Sequence, residues 1–219
     1  MAYSTINKPS LNFNTVLYTG DGNTSNAITG VGFQPDLVWL KNRSSTAGHH
    51  LADAVRGTSG TNYLSLSTDT TADEAAQSDS DGVNTIGSDG FTVGYTNSTA
   101  WNNNTNNYVS WNWKAANSSG SSNTDGTITS TVSVNTTAGF SIVKYTGTGS
   151  NATFGHGLSS APELVMIKNR DGGNSDNWFT HWTGLLGSNV KVMYGAASDG
   201  QTDNATAFNS TAPTSSVVS

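Results

Sequence analysis

The sequence predicts an all-β fold, a β-sandwich or jelly roll built as two tandem modules, and three observations carry that prediction. The chain repeats itself at a constant offset of 127 residues: Phe13-Asn-Thr-Val-Leu-Tyr-Thr-Gly-Asp-Gly22 returns as Phe140-Ser-Ile-Val-Lys-Tyr-Thr-Gly-Thr-Gly149, and Pro35-Asp-Leu-Val-Trp-Leu-Lys-Asn-Arg43 returns as Pro162-Glu-Leu-Val-Met-Ile-Lys-Asn-Arg170. A fixed internal period is the mark of repeated modules. Short runs of β-branched and aromatic residues alternate with Gly- and Asn-rich turns. Gly, Ser, Thr and Asn make up about half of the chain, yet six Trp, seven Tyr and seven Phe supply material for cores.

Residues 1–12 read as an extended N-terminal docking arm, followed by a first module over 13–116. Its opening strand, Thr15–Thr19, alternates. Leu17 is replaced by Lys144 in the second copy and so should face solvent, whereas Val16 and Tyr18 match Val143 and Tyr145 and should face the core. Gly20 and Gly147 end this strand in a turn of open backbone geometry. Leu37–Leu40 and Leu164–Ile167 are apolar at consecutive positions, which predicts strands covered on both faces. Further strands are expected at Asn62–Ser67, Phe91–Tyr95 and Tyr108–Trp113, the last with Trp111 and Trp113 packed in the core beside Val109. Thr71–Gln77, with a Thr cap and acids in its first turn, predicts one or two turns of helix. Residues 117–125 read as a flexible polar linker. The second module, 126–219, opens with the alternating Thr127–Val134 and stops before any counterpart of Tyr108–Trp113. That copy is therefore expected to be incomplete at its C-terminus, the missing strand coming from a continuation of the chain or from a partner chain.

The net charge is −6 and no Lys/Arg cluster occurs, which argues against a nucleic-acid partner. With no cysteine, neither disulfides nor thiolate-held metal enter the expectation. The N-terminal residues have no basic and apolar signal pattern, and no apolar run approaches the ~20 residues of a membrane helix. Such a surface-like composition without a signal fits a virion component made in the host cytoplasm and released by lysis.

The paired Tyr-Thr-Gly-x-Gly and Pro-[Asp/Glu]-Leu-Val-x-[Leu/Ile]-Lys-Asn-Arg blocks resemble repeat modules of marine bacteriophage structural proteins. So do Asp53–Gly57, Ser88–Gly94, Tyr108–Ala115 and Thr136–Val143. Those tail-fibre or virion proteins are suspected to have concanavalin A-like, lectin-like folds. The resemblance implies a structural protein of the virion surface, partnered by other virion proteins, assembled as a homo-oligomer and facing host surface glycans. Capsid decoration, as a head fibre or cement protein, is the first alternative; a carbohydrate-binding module of a cellular surface protein is the second.

Candidate sites follow from residue types. Trp101 beside Asn103 and Asn104, and Trp178 beside Asn177, combine an aromatic face with amides, the chemistry a glycan site uses. The repeated Lys41-Asn42-Arg43 and Lys168-Asn169-Arg170 suit either an anion or sugar-acid site or a turn with a left-handed Asn and a paired Arg. The second reading is favoured, which makes these residues part of a structural signature with Tyr18, Gly20, Tyr145 and Gly147. Asp79, Asp81 and Asn84 form an oxygen-rich turn that could hold calcium but lacks EF-hand spacing, so no cofactor is expected. The histidines lack zinc-site spacing, and no glycosidase acid pair, nucleophile elbow or phosphate loop appears. The expectation is a protein that binds or builds and does not catalyse.

Overall fold

The computed structural model describes residues 6–77, 80–183, 191–195, 202–204 and 206–219. It is all-β. The chain divides into two compact units, Met1–Ser67 with Glu74–Ser119 and Thr68–Asp73 with Gly120–Ser219.

The first unit contains β1 (Phe13–Thr19), β2 (Asn26–Thr29), β3 (Leu37–Asn42), β4 (His49–Asp53), β5 (Thr58–Ser59), β6 (Asn62–Tyr63), β7 (Ser65–Ser67), β8 (Gly82–Gly87), β9 (Gly90–Gly94) and β10 (Asn107–Trp113). Five of them make an antiparallel sheet in the order β1-β10-β3-β4-β7; three more make a sheet β2-β9-β8, with a bulge between Val83 and Thr85. Ile28, Phe91 and Val93 from the smaller sheet share one core with Val38, Leu40 and Tyr108 from the larger. Val16 and Tyr18 pack against that core while Leu17 lies in solvent, as the repeat predicted.

Three expectations are corrected here. In β10 the polar-looking face is the inner one: Tyr108, Ser110 and Asn112 are buried. Asn112 Nδ2 donates to Asn14 O at 3.1 Å and to Ser110 Oγ at 3.0 Å, so part of its amide is satisfied inside the sheet. Trp111 and Trp113 stay half-buried on the outer face in a ladder with Trp39 and Phe13, ring centroids 4.8–6.4 Å apart. This ladder covers the outer face of β3, where a second layer was expected. Finally, Thr71–Gln77 is not helical. Ala75 exchanges both backbone hydrogen bonds with Ser65 at 3.0 Å, and Glu74 accepts from Arg56 Nη1 at 3.1 Å; both hold this segment extended.

Asp36, at the mouth of β3, is fully buried, and burial pushes its carboxyl above the usual carboxylate range. It accepts from the backbone N–H groups of Ala115 (2.6 Å), Asn117 (3.0 Å) and Ser118 (3.2 Å), fastening the chain that leaves β10 to the start of β3.

The second unit contains β11 (Ser121–Asn123), β12 (Ser130–Asn135), β13 (Phe140–Tyr145), β14 (Phe154–Gly155), β15 (Leu164–Ile167), β16 (Trp178–Trp182), β17 (Lys191–Gly195), β18 (Thr202–Asp203) and β19 (Val217–Val218). They form a sheet β11-β12-β13, a sheet β15-β16-β17-β18 and a pair β14-β19, all antiparallel. Part of the expected linker is thus ordered: Ser121–Asn123 pairs with Ser130–Val132, because its backbone meets an otherwise unpaired strand edge. Phe154, Val192, Phe208 and Val218 are the buried centre, with Val143, Tyr145, Val165 and Ile167 packed around them.

Candidate functional site

Trp101 is not a sugar platform. It is 0% exposed, its ring lies 4.6 Å from that of His50, and its carbonyl accepts from Tyr18 Oη at 2.6 Å. The following Asn-rich loop is fastened from within. Asn102, which pattern reading passed over, is buried, donates to Asp21 Oδ1 (2.7 Å) and Asn23 O (2.9 Å), and accepts from Asn26 Nδ2 (2.8 Å) and Asp21 N (3.2 Å). The Asn103 N–H donates to Tyr108 Oη at 2.8 Å, and a Cβ at Gly20 would strike the Asn103 carbonyl, which is why that position is glycine. Asn104 is exposed.

Trp178 is buried as well, which removes the second sugar platform, while Asn177 is half-buried. The loop before it is clasped by Asp73, whose carboxylate accepts from the N–H groups of Gly173 (2.9 Å) and Asn174 (3.0 Å); the Asn174 bond holds that carboxyl below its ordinary range. Indoles on strands bury wherever alternation points them inward, and neighbouring amides in the sequence do not reveal that direction.

The Lys-Asn-Arg signature is structural, though not through a left-handed Asn. Asn42 is fully buried at the end of β3, donates to Thr99 O (2.6 Å) and Tyr108 Oη (3.2 Å), and accepts from Ser44 N (2.8 Å). Lys41 Nζ donates to Ala47 O at 2.5 Å, and Arg43 is fixed through its backbone N–H to Asn107 O at 2.7 Å. In the second unit Lys168 Nζ donates to Asn169 O (2.8 Å) and Asn169 Nδ2 to Asp176 Oδ2 (2.6 Å); Arg170 is half-buried.

Of the calcium candidates, Asp79 lies outside the described residues. Asp81 is buried with its oxygens accepting from Thr96 N (2.7 Å) and Thr96 Oγ1 (2.8 Å), so the lone pairs a cation would need close the 95–98 turn. Asn84 Nδ2 donates to Thr24 O at 3.0 Å. Among the described residues, no group of three or more His, Asp or Glu could hold a metal ion.

One buried charge network escaped sequence reading. Arg56 bonds Asp53 through Nε, Glu74 through Nη1 and Leu51 O through Nη2 (2.8 Å), with all three ionic side chains at least nine-tenths buried. The i,i+3 Asp-Arg spacing was the available signal. The guanidinium pairs with both carboxylates and a backbone carbonyl, which ties the Asp53 turn to the Glu74 segment.

What remains open lies in the second unit. β13 is paired with β12 on one side and β15 with β16 on one side; among the described residues neither has a strand on its other side. Val143 and Tyr145 of β13 nevertheless share a core with Val165 and Ile167 of β15. An open pocket of about 440 Å³ lies there, walled by Tyr145, Phe154, Ile167, Phe179 and Phe208, with the Gly147–Ala152 turn at its rim and no charged side chain in its lining. Burial raises the Tyr145 phenol above its ordinary range, so it remains a neutral hydroxyl. Beside the cleft Leu164 and Met166 stand 51% and 42% exposed, as does Trp182 (43%), which faces Leu164 across the β15–β16 ladder. Such a surface can bind apolar or aromatic groups and the polar edge of a β-strand.

The family model described as "Domain of unknown function (DUF7483)" matches residues 8–219, and the chain belongs to that family. No curated protein and no solved structure matches it.

Proposed function

We propose that this DUF7483 domain is a non-catalytic structural module of a bacteriophage virion, displayed on the particle surface as two tandem copies of one β-sandwich. The observation that carries the tandem reading is the agreement between strand pairing and sequence repeat. His50 faces Ser67 in the first unit; Phe179 faces Tyr194 in the second, at the same places once the connection before β16 is two residues longer and the one after it two residues shorter. The β2–β9 pair likewise returns as β14–β19, within one residue of the 127 offset.

The virion reading rests on the motif resemblance and on how the polar residues are used. Asp36, Asn42, Asp81 and Asn102 are all bonded to groups inside the fold, which suits a structural role. Burial of Trp101 and Trp178 removes both expected glycan platforms, so a decoration or cement role becomes a second reading beside host adhesion. Antibodies against residues 1–116, applied to purified particles and located by electron microscopy, test the proposal. Label on tail fibres supports adhesion, label on the head supports decoration, and bare particles overturn the virion assignment.

A further inference from the structure

We infer that the outer face of the five-stranded sheet in the first unit is a binding platform for a neutral polysaccharide, which stacks on Phe13, Trp39, Trp111 and Trp113. The inference deepens the host-adhesion reading and rests on it for the setting of the glycan. Strand alternation defines this face. Tyr18, Leu40 and Tyr108 enter the core, so the residues beside them on β1, β3 and β10 point outward. The register places Phe13 opposite Trp113 and Trp111 opposite Trp39, which makes one aromatic row across three adjacent strands. β10 is hydrogen-bonded on both sides, so its indoles stand on a rigid base.

Three features favour a sugar chain over a protein partner. The first is the rings themselves. Phe13 is 38% exposed, and the three indoles are half-buried and belong to neither core cluster. Centroids step 4.8 Å from Phe13 to Trp113, 6.4 Å on to Trp39 and 5.7 Å to Trp111, and Trp113 and Trp39 lie within 28° of parallel. The negative face of such a ring attracts the polarised C–H groups on the flat side of a pyranose. The second is the polar groups interleaved with the rings. Exposed Thr15 stands opposite Trp111, and exposed Thr19 and Asn107 close the far end of the face, Thr19 Oγ1 donating to Asn107 Oδ1 at 3.2 Å. Such hydroxyl and amide groups pair with sugar hydroxyls but would be stranded beneath an apolar protein surface. The third is charge. On this face β1, β10 and β3 carry one ionic side chain, Lys41, whose ammonium donates to Ala47 O, so the surface complements an uncharged chain. From Phe13 to Thr19 the face runs about 20 Å, room for several sugar rings in line. The 127 offset puts Ile142, Lys144 and Met166 at the places of Thr15, Leu17 and Trp39, so the platform belongs to the first unit.

The probe is an array of uncharged linear hexasaccharides in gluco, manno, galacto and xylo forms. The strongest binder is then titrated into the full chain labelled with nitrogen-15. The expected result is saturable binding at one site that shifts the indole N–H signals of Trp39, Trp111 and Trp113 and the amides of 13–19. Phe13→Ala, and Thr15→Glu, which puts a charge opposite Trp111 at an exposed position, should each weaken binding about tenfold and leave the melting temperature nearly unchanged. No binding across the array, shifts confined to other residues, or variants that bind as well as the parent overturn the platform. Equal binding of polygalacturonate, a charged chain, overturns the choice of a neutral ligand. Indole shifts that follow protein concentration in the absence of sugar assign the face to a second copy and overturn the sugar. Failure on the array leaves the particle-labelling result intact, whereas bare particles would remove the virion setting and leave the platform standing.

Discussion

The two units carry the same strand signatures but bury them differently, and the difference isolates what one strand contributes. In the first unit Val38 and Leu40 of β3 are sealed beneath Tyr108. Their repeat partners Val165 and Ile167 pack on a core yet remain half-exposed, and the outward Leu164 and Met166 lie in solvent. Nearly identical local sequences therefore reach different burial because β3 has a strand on each side, whereas β15, among the described residues, has a strand on one side. Burial of a strand belongs to the sheet and is only partly encoded in the strand itself.

The sharpest way to break the comparison is to attack what only the first unit has. Arg56→Ala strands the buried Asp53 and Glu74 carboxylates and should cost about 3–5 kcal/mol in denaturant unfolding; among the described residues of the second unit there is no ion pair. Next comes truncation at paired positions. Leu40→Ala, in a closed core, should cost about 3–5 kcal/mol, whereas Ile167→Ala, beside an open pocket, should sit near the low end at about 2 kcal/mol. Equal costs would mean that the cleft is closed in solution. The paired acids should separate in the same way. Asp36→Asn removes an acceptor from three backbone N–H groups and should cost about 1–3 kcal/mol, while Glu163→Gln should stay within about 0.5 kcal/mol, both read by thermal unfolding.

The smallest effect is the pH dependence that His156 brings to the second unit. His156 is buried with Nδ1 accepting from Leu158 N (3.1 Å), so Nε2–H donates to Thr214 O (3.2 Å), and burial holds its pKa below 6.5. A depressed folded pKa means that the unfolded chain takes up the proton first. This stabilisation is therefore full above pH 6.5 and is lost as pH falls through the folded value. The protection of amides near His156, taken relative to their intrinsic exchange rates, should fall on mild acidification, and His156→Asn should flatten that response.

These contrasts also mark how far sequence reasoning reached. The all-β class, the strand starts at Leu37 and Leu164, the solvent-facing Leu17 and the turn at Gly20 were legible because period-2 alternation and the repeat report them directly. The inward side of β10 was not, since Tyr108, Ser110 and Asn112 look more polar than Val109, Trp111 and Trp113. Only the cross-strand Asn14 and the Trp39–Phe13 ladder decide the matter, and they come from residues about 70–100 positions away. The glycan candidates failed for a related reason: Asn102 and Asp21 turn the loop so that Trp101 enters the core. The helix expected at Thr71–Gln77 lost to long-range partners of Glu74 and Ala75 that local propensity does not contain.

The central claim is that β3 and β15 are the same strand with and without a second neighbour, and residue-resolved amide hydrogen exchange tests it most directly. In β3, flanked by β10 and β4, the amides of 37–42 should all be protected. In β15, which among the described residues pairs with β16 alone, alternate amides of 164–167 should exchange at rates near those of exposed loops. Uniformly slow exchange across 164–167, matching that of 37–42, would contradict the account.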